Sequence, residues 1–211
     1  MRTLVLCDDY WHPASTPKAG FEALGDCGFE FDILEDGHGW SPDRLSDYPL
    51  VILTKSNNTT AADQTPWMTG EVQQAFVDYV RAGNGLLAVH SGTVYEKMPV
   101  MRQLLGGAFL NHPKQCPVTV QPKPGHRLTA GADTFTEVDE HYMMAFDDQN
   151  AEVFLTTTSK HGTQPAGWTR LEGEGRVCVL TPGHNTPVWL HPSFQQLLLN
   201  AMRWCTHSLQ D

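Results

Sequence analysis

One histidine, His90, stands at the end of the clearest buried strand in the sequence. Four apolar residues, 86–89, lie between glycine-containing stretches and predict a short strand that is buried on both faces. His90 and Ser91 follow this strand directly, before Gly92. In open α/β sheets, ligands bind outside the carboxyl ends of the strands. The pattern therefore makes His90 and Ser91 candidates for a functional site, while an ordinary turn with one hydrogen-bonded histidine fits it equally well.

Four further histidines, His12, His112, His184 and His191, lie at predicted strand ends or in loops that follow strands. Proline follows three of them, which holds the preceding histidine in an extended conformation. Because the carboxyl ends of parallel strands meet at one edge of a sheet, we expect His90 and His184 to line the same cleft. For each histidine taken singly, a structural role is as well supported as a functional one.

Acidic and phenolic side chains come together in the stretch Asp139-Glu140-His141-Tyr142. Adjacent residues on a strand point to opposite faces, so only one of Asp139 and Glu140 can reach a shared pocket. Glu140 and Tyr142 are two residues apart and lie on the same face. A carboxylate beside a histidine can serve as a general base, and an exposed acidic turn is the alternative interpretation.

Metal ions and covalent nucleophiles receive less support from the sequence. Histidines with a carboxylate are typical zinc ligands, but no short spacing such as His-x-Glu-x-x-His is present, so ligands would have to come from distant loops. We assign no metal ligand on this basis. The five cysteines are scattered without CxxC spacing, which favours reduced thiols in the cytoplasm over disulfides or a cysteine zinc site. Ser91 lacks the Gly-x-Ser-x-Gly pattern of a serine hydrolase.

Composition limits the classes of partner. The 211 residues carry a net charge of −10 with no basic stripe, which argues against nucleic acid and against an anionic membrane surface. No apolar run approaches the roughly 18 residues of a membrane span. Hydrophobic residues make up 40% and charged residues 18%, as in a folded soluble domain, and no linker divides the chain. We predict one domain over residues 1–211.

Strands and helices alternate in the first half of the sequence, which is typical of a parallel sheet with crossover helices. Strands are predicted at 2–7, 29–34 and 50–53, and helices at 17–25, 41–45, 67–81 and 98–105. Thr69 is the predicted N-cap of the third of these helices. The second half predicts strands at 116–122, 135–142, 151–158, 166–171 and 176–180, the last two as a hairpin, and a terminal helix at 193–207. The prolines of 116–122 place that strand near an edge of the sheet.

Four stretches resemble one known family when taken together and in this order. They are Gly83-x-Gly85 with the strand and His90-Ser91-Gly92; Asp139-Glu140-x-Tyr142; Pro165-Ala166-Gly167-Trp168-Thr169-Arg170 with Gly173-x-Gly175-Arg176-Val177; and Pro182-Gly183-His184 with Trp189-x-His191-Pro192-x-Phe194. In this combination the sequence resembles the trehalose-utilisation (ThuA-like) family, which is related by fold to class I glutamine amidotransferases. The resemblance implies a role connected with carbohydrates. It also implies a three-layer, flavodoxin-like or amidotransferase-like α/β domain, with a mainly parallel sheet and some antiparallel strands.

The amidotransferases carry a nucleophilic cysteine in Gly-x-Cys-x-Gly, and His90 occupies that place here. Glutamine hydrolysis by a thiolate is therefore not expected. The family pattern favours Glu140 or Tyr142 over Asp139 as the group that faces the pocket, where both side chains could bind sugar hydroxyls. Trp11, Trp168 and Trp189 are candidates for the apolar surface on which a sugar ring packs, with core or hairpin packing as the alternative.

We predict that His90, Glu140 and His184 are catalytic. The predicted substrate-binding residues are Trp11, His12, Ser91, His112, Tyr142, Trp168 and His191. The leading hypothesis is a cytoplasmic enzyme of carbohydrate catabolism that hydrolyses or isomerises a trehalose-type or oxidised sugar by acid/base chemistry. The alternatives are a non-catalytic sugar-binding or regulatory module with a vestigial amidotransferase site, and an interaction protein. The expected partner is a small sugar or sugar derivative; a homodimer is compatible with the terminal amphipathic helix but not required by it.

Overall fold

The apolar runs of the chain form β-strands, as their length and bounding glycines predict. The computed structural model describes residues 1–209, so the last two residues of the predicted domain lie outside it. The strands are β1 (Arg2–Leu6), β2 (Glu30–Leu34), β3 (Leu50–Leu53), β4 (Gly85–Val89), β5 (Gly107–Asn111), β6 (Cys116–Pro122), β7 (Phe135–Asp139), β8 (Met143–Phe146), β9 (Glu152–Ser159), β10 (Gly162–Glu172) and β11 (Gly175–Leu180). The helices are α1 (Ser15–Ala23), α2 (Pro42–Leu45), α3 (Gly70–Arg81), α4 (Pro99–Leu105), α5 (Thr186–Leu190) and α6 (Pro192–Cys205).

One large mixed sheet organises the fold. Over residues 1–209 its nine strands run in the order β2-β1-β3-β4-β11-β10-β9-β6-β7, and β5 and β8 form a separate antiparallel pair. Within that part of the chain, four pairings of the large sheet are parallel (β1–β2, β1–β3, β3–β4 and β4–β11) and four are antiparallel. The sheet is thus evenly mixed, rather than mainly parallel as predicted, because every strand beyond β11 is added antiparallel to its neighbour.

Hydrophobic cores form on both faces of this sheet. Alternate residues of the central strands point to opposite faces, as the strand period of two requires. Leu87 of β4 and Cys178 of β11 belong to a core shared with α1, α5 and α6. Leu86 and Val177, one position earlier on each strand, belong to a second core shared with α2, α3 and α4. Strand β4 is fully buried, which agrees with its prediction as a strand covered on both faces.

Backbone geometry is unusual just after β4. His90 has a φ of +48°, in the left-handed region that residues with a Cβ rarely adopt, and it begins a short 3₁₀ turn. Two residues later, a Cβ on Gly92 would lie 1.9 Å from the backbone oxygen of Leu53, so only glycine fits there. The chain therefore turns sharply against β3, and this turn sets the direction of the His90 side chain. Strained backbone of this kind clusters at functional sites.

Several elements agree with the sequence and others do not. The Thr69 side chain accepts a hydrogen bond from the Val72 N–H, which confirms the predicted N-cap of α3. The hairpin of β10 and β11 is confirmed. Strands β5 and β8 and helix α5 were not predicted. Within residues 1–209, β6 lies next to the edge strand β7, in agreement with its predicted place near an edge of the sheet. No helix within residues 1–209 is both long enough and apolar enough to cross a membrane.

Candidate active site

A cavity of about 510 Å³ opens where several loops follow the carboxyl ends of parallel strands. The loops after β1, β3 and β11 contribute to it, as expected for an α/β sheet with a site at its strand ends. The side chains that line the cavity are Trp11, His12, Ser56, Asn57, Asn58, Val94, Phe109, His112, Glu140, Tyr142 and His184. The cavity thus joins an aromatic surface to a group of titratable side chains.

Glu140 lies at the centre of four histidines. Its Oε2 atom is 3.1 Å from His184 Nδ1, 3.5 Å from His90 Nε2 and 4.0 Å from His12 Nε2. The other oxygen, Oε1, is 3.5 Å from His112 Nε2. Burial opposes ionisation of Glu140, but its contacts with three of these histidines (His12, His184 and His90) outweigh burial and hold the pKa of this carboxyl well below its usual range. Glu140 is therefore a carboxylate.

His90 is held by the turn that follows β4. Its ring is buried and stacks on the ring of Tyr142, with centroids 4.0 Å apart. Its Nδ1 atom donates a hydrogen bond to the backbone oxygen of Thr181, at 2.8 Å. Because a carbonyl oxygen only accepts, this bond fixes the proton on Nδ1 and turns Nε2 toward Glu140. Burial lowers the pKa of His90, which favours the neutral ring.

His12 is held by a buried carboxylate, Asp9. The two are 2.8 Å apart between Nδ1 and Oδ1, and Asp9 also accepts hydrogen bonds from the backbone N–H groups of Ser56 and Trp11. Burial opposes the charged form of both groups. In Asp9, the hydrogen bond and charge of His12 together with the backbone N–H donors outweigh burial and lower the pKa of that carboxyl to about 2. The bonds with Asp9 and Glu140 likewise raise the pKa of His12 to about 9.

Asp139 fixes the loop that carries His184. Its carboxylate is buried and accepts hydrogen bonds from three successive backbone N–H groups, those of Gly183, His184 and Asn185, at 2.9, 2.9 and 3.2 Å. Burial raises the pKa of Asp139 despite these donors. Strand β7 ends at Asp139, so the next residue, Glu140, leaves the strand and turns into the cavity while Asp139 points to the loop.

Tyr142 completes the wall of the cavity beside the histidines. Its hydroxyl is 3.4 Å from His12 Nε2, and its ring also contacts Phe109 and His112. Burial raises the pKa of Tyr142 well above its usual value, so the hydroxyl keeps its proton. It is therefore a hydrogen-bond donor at the edge of the cluster.

Four of these groups are close enough to hold one metal ion. One donor atom from each of His12, His90, Glu140 and His184 lies within 4.8 Å of all the others. Imidazole nitrogens and a carboxylate oxygen are the donors that zinc and related divalent ions use in proteins.

The sequence model of one protein family, described as trehalose utilisation, matches residues 2–205. The chain belongs to the ThuA family. This membership suggests a role in carbohydrate utilisation. None of the curated proteins compared with the chain matches it significantly.

Solved structures show the same fold as this ThuA chain. A putative ThuA-like protein from Bacteroides uniformis superposes with a TM-score of 0.75 at 22% identity, over 97% of this chain and 91% of the other. A cytoplasmic protein from Salmonella typhimurium gives 0.70 at 16% identity, over 97% and 99%. A β-galactosidase from Rahnella sp. R3 gives 0.69 at 16% identity, over 99% of this chain but only 31% of the enzyme.

Most of the predicted site residues of this ThuA chain meet at the cavity. Trp11, His12, His112, Glu140, Tyr142 and His184 line it, and His90 lies directly behind Glu140. The rings of His90 and His184 are 5.5 Å apart, so the two histidines expected to share a cleft are neighbours. Ser91 is completely buried and does not line the cavity.

Besides Ser91, two more predicted substrate-binding residues do not line the cavity. The Trp168 ring is completely buried in the second core and donates a hydrogen bond to the backbone oxygen of Leu105. His191 accepts a hydrogen bond from the Ser193 N–H at the start of α6 and stacks on Phe135. Both side chains have a structural role, and neither borders the cavity. We leave both out of the proposed site.

Sequence reasoning missed the groups that hold the histidines. Asp9 and Asp139 contact the site through hydrogen bonds. In the sequence, however, nothing distinguishes them from other acidic residues in loops or at strand ends. The spacing Asp9-x-x-His12 is the one local signal that was available. Polar residues 56–58 follow β3 and line the cavity; their position after a buried strand could also have indicated them.

Proposed function

We propose that the protein acts on a sugar or oxidised sugar in carbohydrate catabolism, through an acid/base step of hydrolysis or isomerisation in this cavity. The observation that carries the proposal is the Glu140 carboxylate, which contacts four histidines at the wall of a cavity of about 510 Å³. That volume lies within the roughly 300–1,000 Å³ of small-molecule sites. Histidines and a carboxylate in mutual contact at a cavity wall are the kinds of group that transfer protons to and from a substrate.

The cavity offers both parts of a sugar site. Trp11 is 68% exposed and Phe109 is partly exposed, so both present apolar surface to the faces of a sugar ring. Ser56 and the two asparagines after it supply polar atoms for hydroxyl groups. His112 is the most exposed of the four histidines around Glu140, with 36% of its side chain accessible, and its ring can contact a ligand in the cavity.

Thiol chemistry is not part of the proposal. The resemblance described in the sequence analysis implies that His90 stands where the amidotransferases have their cysteine. Cys7 is the cysteine at the end of a parallel strand, and burial raises the pKa of its thiol to about 12. A thiol of that pKa is almost wholly protonated at neutral pH and is a poor nucleophile.

Two further expectations are part of the proposal. Helices on both faces of the sheet support a three-layer, flavodoxin-like arrangement of the kind found in class I glutamine amidotransferases. The cytoplasm is the proposed location, supported by the structural similarity to a protein that is itself described as cytoplasmic.

Proton NMR spectra of a panel of sugars and keto-sugars, recorded over hours with the protein, test the proposal. We expect new resonances from at least one compound, and their loss in Glu140→Gln. Glu137→Gln is the matched control, because Glu137 lies on β7 outside the cavity and loses the same charge. Line broadening without new resonances would contradict catalysis and favour a non-catalytic sugar-binding module. Unchanged spectra across the panel would contradict the proposal that the substrate is a sugar.

A further inference from the structure

We propose that His12, His90, His184 and Glu140 bind one divalent first-row transition metal ion of the Zn²⁺ class. The inference concerns metal binding alone and does not depend on the sugar chemistry proposed above. It is based on the spacing of the donor atoms, the unpartnered ring nitrogens, the groups that orient the ligands, and the local charge.

The donor atoms have the spacing of a ligand set. Ligands at the 2.0–2.1 Å usual for zinc, arranged as a tetrahedron, are about 3.3 Å apart from one another. Glu140 Oε2 is 3.1, 3.5 and 4.0 Å from the ring nitrogens of His184, His90 and His12. All four donor atoms lie within 4.8 Å of one another, so small side-chain shifts bring them to ligand distances.

Two of the ring nitrogens are buried without a hydrogen-bond partner. His90 is 1% exposed, and its Nδ1 proton is already given to the Thr181 carbonyl, which leaves the lone pair of Nε2 directed at the Glu140 carboxylate. His184 Nδ1 is also buried and makes no hydrogen bond of suitable geometry, although it lies close to the same carboxylate. A lone pair that faces a carboxylate oxygen is repelled, and burial makes this costly. A cation between them turns the repulsion into coordination.

Outer groups orient the ligands as they do around protein-bound metals. Metal-binding histidines commonly give their second N–H to a carboxylate or a backbone carbonyl, which fixes the ring and its tautomer. His12 has such a partner in Asp9, and His90 has one in the Thr181 carbonyl. The backbone beside His184 is fixed by Asp139. The rings of His12 and His90 and the backbone of His184 are therefore held before any ion binds.

The charge around the cluster also favours a cation. Three carboxyl groups surround the histidines: Asp9 is hydrogen-bonded to His12, Glu140 lies 3.1 Å from His184, and Asp139 accepts from the backbone N–H of His184. The buried Lys55 side chain donates to the backbone oxygens of Cys7 and Glu35 and not to these carboxyl groups. A divalent ion offsets the anionic charge where it is buried most deeply.

Calorimetric titration of chelator-treated, sugar-free protein with Zn²⁺, together with the metal content after dialysis, tests the inference. We expect one equivalent per chain, and Co²⁺ in place of Zn²⁺ gives visible absorption bands of low-symmetry nitrogen and oxygen coordination. His90→Ala and Glu140→Gln should each weaken binding more than about 100-fold, and Asp9→Asn about 10-fold, in line with the loss of an outer partner. Circular dichroism of each variant shows whether it folds.

His38→Ala is the matched control, because His38 is a surface histidine with 70% of its side chain exposed and lies outside the cluster. Its affinity should equal that of the unmodified protein. Binding that is absent, or that His90→Ala and Glu140→Gln leave unchanged in folded protein, would overturn the inference. If metal-free protein converts a sugar, the proposed function holds and needs no metal. Failure of the metal inference can therefore be distinguished from failure of the proposed function.

Discussion

Replacing Asp139 by alanine tests how the loop that carries His184 is held in place. The carboxylate of Asp139 is 2% exposed and accepts three backbone N–H groups in succession, the first of which, that of Gly183, is itself buried. Alanine removes all three acceptor contacts at once. The loop would then keep no side-chain acceptor for these N–H groups at this position, and His184 would lose its fixed distance to Glu140.

The expected cost follows from these contacts. A hydrogen bond to a charged group contributes about 1.5–3 kcal/mol, and an unpaired buried donor costs about 1–3 kcal/mol. Water can reach the two partly buried N–H groups of His184 and Asn185, so they count for less. Removing Asp139 also relieves the burial that raises its pKa, which offsets part of the loss. We therefore expect Asp139→Ala to lower the free energy of unfolding by about 3 kcal/mol, since one donor is lost in full and two in part.

The isosteric variant Asp139→Asn separates charge from shape. Its side-chain oxygen can still accept from His184 and Asn185, while its NH₂ group meets the Gly183 N–H donor to donor. We expect a loss of about 1–2 kcal/mol, the cost of one unsatisfied buried donor. Urea denaturation measures both values, and Glu137→Gln on the same strand should stay within about 0.5 kcal/mol of the unmodified protein. A change of less than 0.5 kcal/mol in Asp139→Ala would refute this role of Asp139.

Three further predictions concern other parts of the chain. Iodoacetamide should label only Cys27 in the folded protein, because the other four thiols are buried, and all five in denaturant; rapid labelling of a second thiol would contradict the packing. Trp11→Ala should raise KM for the sugar with less than about 0.5 kcal/mol change in stability, since the ring is 68% exposed; an unchanged KM would exclude Trp11 as the sugar platform. The hydrogen bond from Arg2 lowers the pKa of Asp32, so their pairing stabilises the protein above about pH 4 and is lost as the pH falls below that. Asp32→Asn should therefore lower the free energy of unfolding by about 0.5 kcal/mol at pH 7 and leave it unchanged at pH 2, as measured by urea denaturation. An equal loss at both pH values would contradict a stabilising Arg2–Asp32 pair.

The central strand and its turn could be predicted because their signals are local. An apolar run between glycines identifies β4, and the position after such a strand identifies His90, without knowledge of any distant contact. The same holds for Thr69, whose type and place before an amphipathic stripe predict the N-cap of α3. Glu140 and Tyr142 follow from the resemblance to the family, and both line the cavity. The strand predicted over 135–142 ends at Asp139, so their two-residue spacing is not what places them there.

Elements that depend on distant partners escaped prediction. Strand β5 begins at the second of two glycines that by themselves indicate only the end of α4, and it forms a strand by pairing with β8, about 35 residues later. The balance of parallel and antiparallel pairing in the sheet depends on which strand lies beside β11, which no local pattern encodes. Trp168 was assigned to the cleft because its side chain suits a sugar platform, yet its indole N–H has a buried acceptor in Leu105 and the ring packs inside the second core.

The groups that position the site illustrate the same limit. In the sequence, Asp139 and Asp9 look like ordinary acidic residues. Their roles depend on contacts that form only in the folded protein: Asp139 accepts from the Gly183 N–H, and Asp9 bonds to the His12 ring. His191 has the same local pattern as His12, a histidine before proline. It caps a helix instead because α6 begins at the next residue.

The central claim is that His12, His90, Glu140 and His184 form a single chemical centre. The most direct measurement is an anomalous difference map from crystals of the protein soaked in Zn²⁺, with data collected on both sides of the zinc absorption edge. The account predicts one dominant peak about 2.0–2.2 Å from a donor atom of each of the four side chains. A map without a peak among them, or with its dominant peak elsewhere on the surface, would contradict it.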